Sequence, residues 1–85
     1  MNLGPLTKVE FEASPGAIGE LCEFFRVQPE GTPRLAGYYD AQGKLRRVVA
    51  QYPDGWRLQV NCSASGYITS SHAKLRFSAK IRGAA

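Results

Sequence analysis

From Ala73 to Arg82 the chain reads Ala-Lys-Leu-Arg-Phe-Ser-Ala-Lys-Ile-Arg, alternating apolar and polar residues at nearly every step. Trp56 to Cys62 does the same. Successive side chains of a β-strand point to opposite faces, so a period of two predicts a sheet with one apolar and one polar face. Leu75, Phe77, Ala79 and Ile81 fall on one side, and Lys74, Arg76, Ser78, Lys80 and Arg82 on the other. Trp56, Leu58, Val60 and Cys62 separate in the same way from Arg57, Gln59 and Asn61. Such a sheet must cover its apolar face, and the rest of the chain offers one covering element.

That element is a helix. Ser14-Pro15 provides a serine N-cap followed by proline at the first helical position. Ile18, Leu21, Cys22 and Phe25 then fall at the i, i+3, i+4, i+7 spacing of a single apolar stripe. Before it, Leu6 to Ala13 reads as a strand with Val9, Phe11 and Ala13 on one face and Lys8, Glu10 and Glu12 on the other. After it, Gln28-Pro29-Glu30-Gly31-Thr32-Pro33 ends the helix, and it is the only loop long enough to suggest mobility. The remainder reads as a meander. Leu35–Asp40 and Lys44–Tyr52 flank a turn at Asp40–Gly43, Tyr52–Gly55 turns into Trp56–Cys62, and Ala64–Gly66 turns into a strand from Tyr67 to Arg82, with a kink near Ser70-Ser71. In the third strand Leu45 and Val49 fall on the face opposite to Val48, Ala50 and Tyr52. A bulge, or burial on both faces, accounts for that.

The fold predicted is α+β, a single domain over residues 1–85 in the order β-α-β-β-β-β. One helix lies on one face of a mostly antiparallel sheet of about five strands, leaving the opposite face open and basic. The helix stripe is expected to meet the apolar faces of the first, fourth and fifth strands.

Charge is divided along the chain. Residues 1–33 carry Lys8 and Arg26 against five glutamates, a net of −3, while residues 34–85 carry nine lysines and arginines against Asp40 and Asp54, a net of +7. The two cysteines, Cys22 and Cys62, lack metal-ligand spacing and are too few for a disulfide framework. With no basic segment leading into a long apolar run, the expectation is a soluble, cytoplasmic protein with reduced thiols and no membrane association.

Catalytic sets do not assemble. His72, the lone histidine, falls on the polar parity of the last strand, while Cys22 and Cys62 lie on apolar faces. A Cys–His pair would therefore be split across the sheet. Gly16-Ala17-Ile18-Gly19 at the helix start lacks the ending of a phosphate-binding loop, and close packing of helix on sheet explains its glycines equally well. No enzyme, metal site or cofactor is expected.

Two short stretches are similar to known families. Lys8 to Phe25, a strand running into Ser-Pro-Gly-Ala-Ile-Gly-Glu-Leu, resembles the opening of ACT-type ligand-binding domains over 18 of 85 residues, without the second helix of that fold. Tyr39-Asp40-Ala41-Gln42-Gly43-Lys44-Leu45 is similar to a single YD-type repeat, a unit that comes in arrays and occurs once here. Neither assigns a family.

What remains is a binding property. Arg57, Lys74, Arg76, Lys80 and Arg82, extended by Arg46 or Arg47, would present cations on the open face to an anionic partner, with nucleic-acid backbone the leading candidate. Trp56, Tyr67 and Phe77 fall on the apolar parity, so duplex or backbone contact is expected in preference to stacking on single strands. The alternative is a small protein-interaction module of inhibitor or adaptor type, docking on an acidic protein surface through Tyr38 or Tyr39, Trp56 and an arginine. A homodimer that buries edge strands is a third reading.

Overall fold

A computed structural model describes residues 5–75. The elements run β1 (Thr7–Phe11), α1 (Pro15–Phe25), β2 (Arg34–Tyr39), β3 (Leu45–Gln51), β4 (Trp56–Cys62) and β5 (Ile68–Leu75). The five strands form one antiparallel sheet in chain order, so the fold is α+β as the periodicities predict. The described part of the last strand ends at Leu75, and Arg76, Lys80 and Arg82 lie outside the described residues.

The helix begins where its cap is written. Ser14 is extended, and its hydroxyl accepts the Ala17 N–H at 3.2 Å, with Pro15 in the first turn. It ends at Phe25 because Arg26 takes the left-handed conformation at φ 58°. The Arg26 and Val27 N–H groups then bond back to Glu23 and Cys22, the paired closure that usually selects glycine. The following loop is tethered. The Glu30 N–H donates to the Asp54 carboxylate at 2.8 Å, fixing this loop to the β3–β4 turn. Each of the three hairpin turns closes on a glycine with positive φ: Gly43, Gly55 and Gly66.

Among the described residues the apolar face is covered only at its centre. Leu35, Ala50, Tyr52 and Leu58 form the buried cluster, packed against Ile18, Leu21, Cys22 and Phe25 of α1, together with Ala13, Val27 and Trp56. The helix thus sits over β2, β3 and β4; of the three strands expected to meet it, the fourth does, while the first and fifth do not. A single helix is about 10 Å wide and a five-stranded sheet about twice that, so both edges are left uncovered. Val9, Phe11 and Leu75 accordingly stay 47%, 40% and 37% exposed. Gly19 does not mediate close packing, because a Cβ there would meet nothing within 4 Å.

The third strand resolves its mixed parity in both of the ways anticipated. Tyr38 pairs with Arg47 and Tyr39 with Leu45, so Arg46 is the extra residue of a bulge. The bulge returns Leu45 to the helix side, where it and Tyr39 close over Gly37 at 3.2 Å from a would-be Cβ. Val49 is buried on the other face, at 4% exposure. In β5 the irregularity falls at Thr69, beside the anticipated kink, since Asn61 pairs with Ser70 and Cys62 with Ile68. Among the described residues no helix is long and apolar enough to cross a membrane.

Candidate functional site

The sheet face opposite α1 is organised in three rows across the strands. One row joins Arg34, Gln51, Arg57 and Lys74; the middle row joins Glu10, Ala36, Val49, Gln59 and His72; the third joins Lys8, Tyr38, Arg47, Asn61 and Ser70. Rows two residues apart along a strand are separated by about 6.7 Å, and the outer two by about 13 Å. Ala36 and Val49 are the small residues at the centre of the middle row, so this row lies low between two rows of long side chains. The result is a shallow trench. Over β1 to β4 it forms a recess of about 230 Å³, and over β4 and β5 one of about 310 Å³ lined by Arg57, Gln59, His72 and Lys74. Arg57 lines both.

Arg57 and Lys74 are direct cross-strand partners, a placement that like charges disfavour unless something else compensates. Neither pairs with a carboxylate among the described residues. Instead the arginines are held by amides. The Arg57 Nη2 donates to Gln59 Oε1 at 3.3 Å, Gln59 Nε2 to Asn61 Oδ1 at 3.1 Å, and Arg47 Nε to the same Asn61 oxygen at 3.0 Å. Asn61 Nδ2 then donates to Ser70 Oγ at 2.7 Å. Neutral amides orient both guanidiniums and leave their charge uncompensated. At the β1 edge the pattern differs, because Glu10 lies 3.8 Å from both Lys8 and Arg34.

The predicted residues divide accordingly. Arg47, Arg57 and Lys74 share this face, joined by Lys8, Arg34 and His72. Arg46 does not join them. Displaced by the bulge, it donates from Nε to the Cys62 carbonyl at 3.0 Å and from Nη1 to Asp40 at 3.3 Å. Asp40 is held below the ordinary carboxylate range, first by the Lys44 N–H and then by Arg46 and the Gln42 N–H, against the opposing effect of burial. Tyr38 is the outward ring, with the Arg47 guanidinium 5.7 Å from its centroid. Tyr39 and Trp56 face the helix side instead, Trp56 packing on the core.

Sequence reasoning missed Lys8 and Arg34, because both belong to the stretch whose charge is dominated by glutamates or adjoin it. The signal for Lys8 was its polar parity in β1, and only the strand order brings it beside Tyr38. Parity alone marks Gln59 and Asn61 only as polar positions; their spacings of two and four from Arg57 are the available signal. The thiols occupy the other side. Cys22 Sγ lies 3.3 Å from the Tyr52 hydroxyl, and both cysteines are free. Comparison with protein-family models, with curated proteins and with solved structures finds no match.

Proposed function

We propose that the trench-bearing sheet face is a non-catalytic binding surface for a polyanion, the phosphate backbone of a nucleic acid. The observation that carries this is the holding of Arg47 and Arg57 by Gln59 and Asn61 instead of by carboxylates. Carboxylate partners would neutralise these guanidiniums; arginines oriented by amides keep their charge for an external anion. Binding in preference to catalysis is supported by the placement of titratable groups. Glu10 and His72 occupy opposite ends of the middle row, about 19 Å apart by strand spacing, and Cys22 lies across the sheet from His72.

The test is binding of the full chain to labelled nucleic acid and to heparin across a salt series. Expected is micromolar affinity that falls linearly with log salt, and a slope reduced by about one in Arg57→Ala. Gln59→Glu keeps the contact to Arg57 and supplies the missing carboxylate, at the loss of the donation to Asn61, so it should weaken binding about as much while moving the unfolding midpoint little. Absence of binding at low salt, or indifference to both substitutions, overturns the proposal. A second reading, a protein-interaction module docking on an acidic partner or on a second copy, is favoured by β5. Every described residue of that edge strand is exposed, as strand addition requires. It takes the lead if no polyanion binds.

A further inference from the structure

We infer that the open face takes single-stranded nucleic acid, with an unpaired base seated in the recess between β1 and β4; this rests on the polyanion reading above and specifies its ligand. The recess has an apolar floor. Ala36 and Val49 are only 5% and 4% exposed although no described element covers this face, and a pure phosphate site has no use for such a floor. Tyr38 forms one wall, and Arg47, which does not line the recess, backs the ring from outside it. Arg57 stands at the opposite wall.

An apolar floor, an aromatic wall and a guanidinium opposite form a seat for a flat ring that is continuous with a charged strand. A duplex hides its rings in the stack and can reach only the rims of a trench one side-chain row deep. A single strand can drop a base to the floor and keep its phosphates on the rim. The charges select the direction. Glu10 bridges Lys8 and Arg34 at the β1 end, which disfavours a phosphate there. Arg57 and Lys74, with His72 beside them, line the adjoining recess of about 310 Å³ and accept it. Base toward β2 and phosphate toward β5 is the register that satisfies both.

The sequence points the other way, to duplex before single strand, because Trp56, Tyr67 and Phe77 fall on the apolar parity and the pattern does not say which of Tyr38 and Tyr39 faces outward. Tyr38 supplies the outward ring.

The experiment compares a labelled dT15 strand, the dA15·dT15 duplex and heparin at one salt concentration, for the wild type, Tyr38→Ala and Ala36→Leu. Duplex has the higher charge density, so charge alone favours it, and tighter binding of dT15 requires contact with the bases. Expected are preference for dT15 and a loss of about fivefold or more in Tyr38→Ala. A similar loss is expected in Ala36→Leu, whose side chain fills the recess, with heparin affinity unchanged in both. If Ala36→Leu fails to fold by circular dichroism, Tyr38→Ala decides. Duplex binding equal to or tighter than dT15, or indifference of dT15 to Tyr38→Ala, overturns the base seat and leaves the polyanion reading standing. Failure of all three ligands to bind overturns both.

Discussion

Gly31 and Gly66 separate two reasons for which a chain needs glycine. Both have positive φ, 87° and 94°, so an alanine at either carries the left-handed penalty of roughly 1–2 kcal/mol. At Gly66 a Cβ would meet open space, whereas at Gly31 it would come within 2.6 Å of the Pro53 ring. That ring belongs to the β3–β4 turn, which also holds Glu30 through Asp54. Proline has no flexible end to swing aside, so the turn itself must move. Gly66→Ala should therefore destabilise by the conformational cost alone. Gly31→Ala should cost about 1–3 kcal/mol more, the range for forcing extra volume into a packed site. Urea unfolding of the two variants measures the difference, and equal midpoints would show that the loop does not pack on the turn. The same contact explains why this loop, whose length suggests mobility, is tethered in the fold. Its partner lies more than 20 residues away in sequence, beyond any local pattern.

At the scale of elements, α1 is held by docking more than by its own sequence. It has 11 residues and none fully buried, no acidic side chain in its first turn and no basic one in its last. A helix of this length is marginal in isolation, and Gly16 and Gly19 weaken it further. Because Gly19 has free space around its Cβ position, Gly19→Ala should stabilise the protein by up to about 1 kcal/mol. A raised urea midpoint with unchanged polyanion binding is the expected result, and a lowered midpoint would mean that the glycine serves packing after all. The elements themselves were legible because their causes are local: the Ser14-Pro15 cap, the stripe from Ile18 to Phe25, the glycines of the turns. The faces were legible only where alternation is unbroken, as at Trp56–Cys62. A bulge in the third strand is legible in its mixed parity, but its position at Arg46 is not, since that is set by the pairing of Tyr39 with Leu45. The site suffered the same limit. Arg57 and Lys74 could be placed together from parity, but Lys8, Arg34 and Tyr38 reach them only through the strand order.

In the molecule as a whole the sheet divides the work, with stability on the helix side and the candidate binding groups on the other. The helix-side cluster is small, and Tyr52 is the residue that ties its parts together. It is buried at the end of β3, its hydroxyl meets Cys22 of α1, and its N–H and Trp56 carbonyl close the β3–β4 hairpin at 2.8 Å. Burial first, and then the bond to Cys22, push its hydroxyl well above the ordinary tyrosine value. A phenol raised in this way stays neutral in the folded chain while the unfolded chain ionises at about pH 10. The unfolded state then binds fewer protons, so stability falls with rising pH. The contribution is complete below about pH 10 and is lost as pH climbs toward the folded-state value. Urea midpoints of the wild type should therefore drop between pH 9 and pH 11, and Tyr52→Phe, which cannot ionise, should lose much of that drop. At neutral pH the same variant gives up only the contact to Cys22, so it should be near the wild type there and exceed it at the alkaline end. An equally steep alkaline decline in Tyr52→Phe would place the joint between helix and sheet elsewhere. Polyanion binding by Tyr52→Phe at neutral pH should match the wild type, because Tyr52 lies on the side of the sheet away from Arg57 and Lys74.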